Sequence, residues 1–354
     1  MTQGLPDPTF WKDRRVLLTG HTGFKGAWLA LWLSHMGARV VGLSLPPETK
    51  PNLFEVAAIA SHVDSHMGDI RDIARVKSMV TSAAPQIIIH MAAQALVRRS
   101  YREPVETFAT NVMGTVNVLE AARSARDLEA CLVVTSDKVY ENDGQGTAFA
   151  ESERLGGHDP YSASKAATEV VVESYRRSFF AETVAKPATA RGGNVIGGGD
   201  FSEDRIVPDV WRAHRANEAV VLRYPDATRP WQHVLDCLSG YLVYAEHLAH
   251  GGANDHALNF GPRDKTGLAV RELVGAMQSA IGAKVGWVQA PGPQPKEMPA
   301  LALDCTKAER TLGWRSRLDA RQTIAWTAEW YKTFAAGANV QALTRAQIER
   351  YAAL

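Results

Sequence analysis

Cysteine is scarce in this 354-residue chain: Cys131, Cys237 and Cys305 fit neither a metal set nor a disulfide framework. They read as reduced, mostly buried thiols. Charge of one sign is missing too, since 39 Lys and Arg against 38 Asp and Glu leave a net charge of +1. No basic run recurs along one face, which removes the electrostatic footprint of a nucleic-acid binder. No apolar stretch approaches membrane length, and the opening MTQGLPDPTFWKDRR has no apolar signal core. The expectation is a cytoplasmic globular protein with no metal, no nucleic-acid partner and no membrane segment. Internal repeats and low-complexity tracts are lacking as well.

What is present is alternation. Short apolar strands (RVLLT, ARVVGL, QIIIHM, ACLVVTSD and ETVAKPATAR) are separated by longer amphipathic segments from Arg14 to Arg191. This spacing predicts a parallel sheet covered by helices. A helix is predicted from about Pro104 to Arg126, with Val105, Phe108, Val112, Val116 and Leu119 forming a stripe that packs on the sheet. After Arg191 the pattern changes to RGGNVIGGGDF and shorter elements, with PGPQPKEMP (291–299) read as a surface loop. The fold class is therefore α/β: a Rossmann-type doubly wound parallel sheet with a smaller C-terminal substrate-binding domain. Residues 1–191 are assigned to the dinucleotide-binding domain, 192–233 and 263–354 to the substrate domain, and 234–262 return to the first.

Directly after the first strand comes TGHTGFKG, leading into the helical run AWLALWLSHM. Gly20, Gly23 and Gly26 let the turn close and let backbone amides approach a pyrophosphate at a helix N-terminus. His21, Thr22, Phe24 and Lys25 complete the loop, and His21 and Lys25 face either the pyrophosphate or solvent. A carboxylate that would hold the adenosine ribose is absent from the end of the second strand, where Ser44 stands. Repulsion of a ribose phosphate is lost, but no arginine follows to attract one, so NAD is expected rather than NADP. Asp69 and Ile70 in GDIRD either flank the adenine or form a turn before the next helix.

In PYSASK, Tyr161 and Lys165 lie one helical turn apart on one face. After a dinucleotide loop they read as a proton-transfer pair, whereas alone they would read as a surface pair. TSDKVY sets Ser136, Asp137 and Lys138 at the end of the fully apolar strand ACLVV. The alternative is a surface turn with a local ion pair. Gln94, Arg98 and Ser100 follow the fourth strand at the carboxyl edge, where open parallel sheets bind ligands, and Gln94 is placed near the substrate.

TGHTGFKG, HMAAQ, TSDKVY, YSASK and RGGNVIGGGD together resemble the extended short-chain dehydrogenase/reductases that act on nucleotide sugars. Within them the chain is most similar to the CDP-glucose 4,6-dehydratases, through GHTGFKG, TSDKVYEN, RGGNVIGGGDF and RPWQHVLD. The resemblance implies an NAD-bound enzyme that oxidises sugar C4, eliminates water across C5 and C6, and returns the hydride to C6, for deoxysugar and lipopolysaccharide synthesis. It places Met91, Ala92, Ala93 and Thr135 against the cofactor, with Ser136 and Tyr161 on O4 and Asp137 as the acid at O6. Lys138 stands where the dTDP-sugar branch has glutamate, as the C5 base or as a cation beside the enolate oxygen. Asn194, Arg205, Arg229 and His233 are implied on the sugar and diphosphate, and Trp231 packs on a base or in the core. A homodimer, or a tetramer of two, is expected through the helices beginning near Pro104 and Tyr161. The alternatives are another nucleotide-sugar 4,6-dehydratase, a 4-epimerase, which needs no acid or base for water loss, and a non-catalytic NAD-binding scaffold.

Overall fold

The computed structural model describes residues 4–142, 144, 146, 148–252, 255–264, 267–292 and 301–354. Beyond Gly292, the loop expected at 291–299 lies outside the described residues. Seven parallel strands form the central sheet: β1 (Arg15–Thr19), β2 (Arg39–Ser44), β3 (Asp64–Met67), β4 (Ile87–His90), β5 (Ala130–Ser136), β6 (Ala188–Gly192) and β7 (Ala257–Phe260). Their order is β7-β6-β5-β4-β1-β2-β3, a doubly wound Rossmann-type sheet. β4 and β5 are buried at every position, which is why they read as continuous apolar runs.

The helices are α1 (Phe24–His35), α2 (Ile73–Ala83), α3 (Gly114–Ala122), α4 (Pro160–Phe179), α5 (Val234–Ala249), α6 (Ala320–Ala335) and α7 (Val340–Ala352). Successive β5 side chains feed opposite layers. Leu132 and Val134 join the core built with α1 and α5, while Cys131 and Val133 join the one built with α2, α3 and α4. Each such buried side chain contributes about 1.5–3 kcal/mol relative to exposure.

Two expectations need correction. The fifth predicted strand forms only over Ala188–Gly192, because Pro187 has no N–H to give a sheet ladder. The helix from Pro104 is interrupted by a π-helical turn, Ala109–Met113, before α3 begins, and its stripe does not all reach the sheet. Val105 is 82% exposed and Phe108 39%, whereas Leu119 is fully buried. The wider π turn shifts the helical phase, so residues on one α-helical stripe leave a common face.

The remaining chain includes short strand pairs, Asn194–Ile196 with Trp231–His233 and Val220–Leu222 with Trp287–Gln289 in parallel and Thr228–Arg229 with Leu268–Ala269 antiparallel, packed with α6, α7 and the helices Ile206–Ala216 and Val270–Ile281. Its glycine run is an instrument of close packing. Gly198 accepts a hydrogen bond from Trp28 Nε1 at 2.9 Å, and a Cβ there would lie 1.9 Å from the Trp330 ring. Trp28 belongs to α1, so this contact joins the two parts of the molecule.

Candidate active site

All seven strands point their carboxyl ends to one edge, where β1 runs into the glycine loop. Gly20 has φ +80°, and a Cβ there would fall 2.7 Å from the Ala92 amide nitrogen. A Cβ on Gly26 would fall 2.0 Å from Gly20 O, so loop and helix close on each other. Gly23 caps α1 without a side-chain bond, leaving the first amides of the helix for an anion. Thr19 Oγ1 accepts from the Met91 and Ala92 amides at 3.1 Å and pairs with His90 Nδ1 at 2.6 Å. These features fit a dinucleotide pyrophosphate.

The loop side chains diverge. Thr22 Oγ1 donates to Leu45 O at 2.8 Å and pairs with Ser44 Oγ at 2.7 Å, tying the loop to β2. His21 turns under β2, where Gly42 has no Cβ to block it, and its Nε2 meets Ser65 Oγ at 2.7 Å. Burial, with His66 nearby, lowers its pKa to about 4, so it is a neutral prop rather than a cation on the pyrophosphate. Lys25 runs the other way, to Tyr241 on α5. Asp69 is bonded to the guanidinium and N–H of Arg71, and buried Ile70 fills the space above Gly114.

At the end of β5, Thr135 Oγ1 donates to Glu169 Oε1 at 2.5 Å, and Glu169 also holds Thr189 and Arg191. Thr135 is thereby spent inside the protein. Ser136 Oγ donates to Asp137 Oδ1 at 2.9 Å, accepts from the Lys138 amide at 3.2 Å and is hydrogen-bonded to Tyr161. Asp137 is 3% exposed, and its Oδ2 has no partner among the described residues. Asp159 and Pro160 start α4, and Ser100 Oγ receives the Tyr161 amide at 3.1 Å, which fixes the tyrosine in the first helical turn.

Burial and Asp137 push the Tyr161 hydroxyl up to about 12, with Ser136 opposing. Lys165 Nζ donates to Val134 O at 3.1 Å, so its ammonium anchors on strand backbone and not on the phenol. Burial and Lys25 bring its pKa down to about 8 against the pull of Glu169.

The other predicted residues separate into two groups. Asn194 Nδ2 is buried without a partner among the described residues, and Arg205 pairs with Asp200 at 3.0 Å within electrostatic reach of Tyr161. Arg229 is buried beside Thr228 O at 2.8 Å. Gln94, by contrast, spends its amide on Leu96 and Thr107 and braces its own loop. Arg98 pairs with Asp204 at 2.9 Å. His233 lies in the core, edge-on to Trp28 and Trp326, where burial lowers its pKa to about 3. Trp231 donates to Leu268 O at 3.1 Å.

Sequence reasoning missed Gln232, whose Oε1 has no partner among the described residues and whose Nε2, donating to Phe260 O at 2.8 Å, borders the space over Gly193 together with Asp137 Oδ2. Strand alternation in WQH carried that signal: Gln232 must face opposite to Trp231 and His233. Among the described residues no group of three His, Cys, Asp or Glu could hold a metal ion.

The pattern of the GDP-mannose 4,6 dehydratase family matches residues 17–327. The chain belongs to that family. A CDP-glucose 4,6-dehydratase of Salmonella typhimurium is 42% identical over 351 residues, covering 98% of this chain and 98% of that one. Among solved structures, an epimerase from Methanothermobacter thermautotrophicus matches with TM-score 0.80 and 21% identity over 93% of this chain and 95% of its own. A dTDP-glucose 4,6-dehydratase double mutant from Streptomyces venezuelae, solved with NAD and DAU bound, matches with TM-score 0.77 and 25% identity over 90% and 96%. In this dehydratase family member, the end of β5 and the start of α4 form the candidate reaction centre.

Proposed function

We propose that this chain is an NAD-dependent CDP-glucose 4,6-dehydratase, a hydro-lyase that forms CDP-4-dehydro-6-deoxyglucose in the cytoplasm for deoxysugar synthesis. The observation that carries the reading is end-to-end identity of 42% to the Salmonella enzyme. Asp137 supports it over a 4-epimerase, because a buried carboxyl oxygen without a partner among the described residues stands beside Tyr161 and Ser136. An epimerase has no use for such a group.

Gly20, Gly23 and Gly26 hold the dinucleotide's pyrophosphate, and the cofactor, when bound, supplies the hydride acceptor that oxidises C4 and later reduces C6. Tyr161 removes the O4 proton with Ser136 bridging. A tyrosine held near 12 by burial and Asp137 needs a cation close by to ionise, and Arg205 acts on it from the substrate side. Asp137 delivers a proton to O6 as water leaves. Lys138, the remaining titratable group of the turn, is assigned to the C5 proton. Residues 192–233 and 263–354 form the substrate domain, where Asn194 Nδ2, Gln232 Oε1 and Arg205 offer polar groups to sugar and diphosphate.

The exposed side chains Tyr101, Val105, Phe108, Met113 and Val170 are the proposed homodimer face. Among the described residues no helix is long and apolar enough to cross a membrane.

The deciding experiment is mass spectrometry of CDP-glucose incubated with enzyme and catalytic NAD, with UDP- and dTDP-glucose alongside. Loss of one water from CDP-glucose without net NADH is expected. An isobaric product would establish an epimerase instead, and NAD binding without any turnover would establish a scaffold. Asp137→Asn should retain C4 oxidation and slow water loss by about 10²–10⁴-fold; normal dehydration by that variant would remove Asp137 from its role.

A further inference from the structure

Three polar side chains form a row across the carboxyl ends of neighbouring strands. Thr135 on β5 is the register partner of Arg191 on β6, and Arg191 is the register partner of Asn259 on β7. Register partners share a face of the sheet, so the three meet one set of groups. Arg191 Nη2 donates to Glu169 Oε2 and its Nη1 to Tyr140 Oη, both at 2.8 Å. Tyr140 Oη in turn donates to Asn259 Oδ1 at 2.7 Å, and its ring stacks on Phe149 with centroids 5.0 Å apart and planes 6° from parallel. Thr135 Oγ1 reaches Glu169 through the other carboxylate oxygen.

Between these contacts lies the turn of Ser136, Asp137 and Lys138. Thr135 pins it before and Tyr140 pins it after, and both pins end on one ion pair, Arg191 with Glu169. Glu169 also closes a buried row on α4, where Tyr161, Lys165 and Glu169 follow one another a helical turn apart. The pair therefore fastens the turn to the helix that carries the phenol. Stability alone does not account for it. The two side chains are 5% and 4% exposed, and at that depth desolvation offsets most of the attraction, so apolar residues of like volume would serve the core as well. An apolar pair could not grip a threonine hydroxyl on one side and a tyrosine hydroxyl on the other.

We propose that Tyr140, Arg191 and Glu169 are positioning residues for water loss, holding the turn of Asp137 and Lys138 in place against Tyr161 so that acid and base meet the sugar once C4 is oxidised. This role rests on the dehydratase reading above. Oxidation moves a hydride from C4 to NAD⁺ and the O4 proton to Tyr161; the step that follows removes the C5 proton and releases O6 as water with the proton of Asp137. The first step draws on Tyr161, fixed by Ser100 and the start of α4, and on Ser136 beside the Thr135 pin. The second draws on Asp137 and Lys138, which lie toward Tyr140. A fault at Tyr140 falls on the second step.

Tyr140→Phe keeps the stack on Phe149 and deletes only the hydroxyl. Stopped-flow absorbance of the reduced nicotinamide with CDP-glucose should show NADH formed at the wild-type rate and consumed about ten- to a hundredfold more slowly, so that it accumulates while KM holds. In the cofactor-free protein, the amides of 136–141 should exchange with deuterium about tenfold faster, with exchange in α4 unchanged. Should Tyr140→Phe fail to fold by circular dichroism, Arg191→Lys keeps the charge beside Glu169, loses the second arm of the fork and carries the same prediction. Equal slowing of both steps, or a lower melting temperature without accumulation of NADH, would make the chain of contacts structural; either result overturns the proposal, and so would unchanged kinetics. Normal water loss by wild type with no accumulation in the variants removes this role alone. A wild type that loses no water from CDP-glucose removes the dehydratase reading, and this role with it.

Discussion

The two ends of the sheet's carboxyl edge are prepared in opposite ways. At the β1–β2 end, the polar side chains each find a partner within the protein: Thr19 with His90 and two amides, Thr22 with Ser44, and His21 through Nε2 with Ser65, its Nδ1 alone of these atoms being buried without a partner among the described residues. What that end offers a ligand is backbone, shaped by glycines that have no room for a Cβ. Near Gly193, Asp137 Oδ2 is buried without a partner among the described residues, and so are Gln232 Oε1 and Asn194 Nδ2 on the adjoining pair of strands. A pyrophosphate is common to every dinucleotide, so amides suffice for it. A sugar that must lose a proton at one oxygen and gain one at another needs side chains that hold and release protons, and those cannot be spent in advance.

The contrast can be broken from either end. The largest effect belongs to the reacting side: Tyr161→Phe should lower turnover by about 10²–10⁴-fold with the melting temperature unchanged, since its hydroxyl is engaged by Ser136, itself a group of the reaction centre. A comparable fall in melting temperature would show that this end is braced after all.

Next comes acid sensitivity of the paired end. The folded pKa of His21, about 4, lies below its unfolded value near 6.5. The unfolded chain therefore binds more protons between those values, and stability is lost as pH falls from 6.5 toward 4. His21 should account for about 3 kcal/mol of that loss, and His21→Asn should flatten this part of the melting-temperature profile. His90 and His233, whose pKa values are also lowered, add their own acid losses.

Smaller effects sharpen the distinction. Asn194→Ala removes a buried donor that has no partner among the described residues, so KM for CDP-glucose should rise about tenfold while stability holds or improves. Thr22→Ala should do the reverse, costing about 0.5–1.5 kcal/mol in denaturant titrations and leaving KM for the sugar nucleotide alone.

Much of this was legible because burial on both faces writes β4 and β5 as unbroken apolar runs, and because the glycine loop, TSDK and YSASK sit at fixed offsets from strand ends. β3 was only inferred from where GDIRD begins, since the edge strand DSHM carries a single apolar residue. The stripe from Val105 to Leu119 was read as one face, and a π turn divided it. Side-chain destinations were harder still. Gln94 looked available because Thr107, which takes its amide nitrogen, arrives from a later helix, and Asn111, which fixes its backbone, arrives later still. His21 and Lys25 are four residues apart in one loop, yet one depends on the absence of a Cβ at Gly42 and the other on Tyr241, more than two hundred positions downstream. Spacing identifies the loop, and only distant partners decide where its side chains go.

The place of β7 at the outer edge of the sheet also bears on how the chain is made. β6 pairs with β5 on one side and with β7 on the other, and Ala257–Phe260 leaves the ribosome long after Ala188–Gly192. At about 5–20 residues per second, β6 waits several seconds with one row of backbone groups unpaired, open to any strand it meets. A nascent chain halted between the two strands should therefore be the form most prone to aggregate and most dependent on chaperones, and slowing translation across 193–256 should lower the soluble yield without touching a single catalytic group.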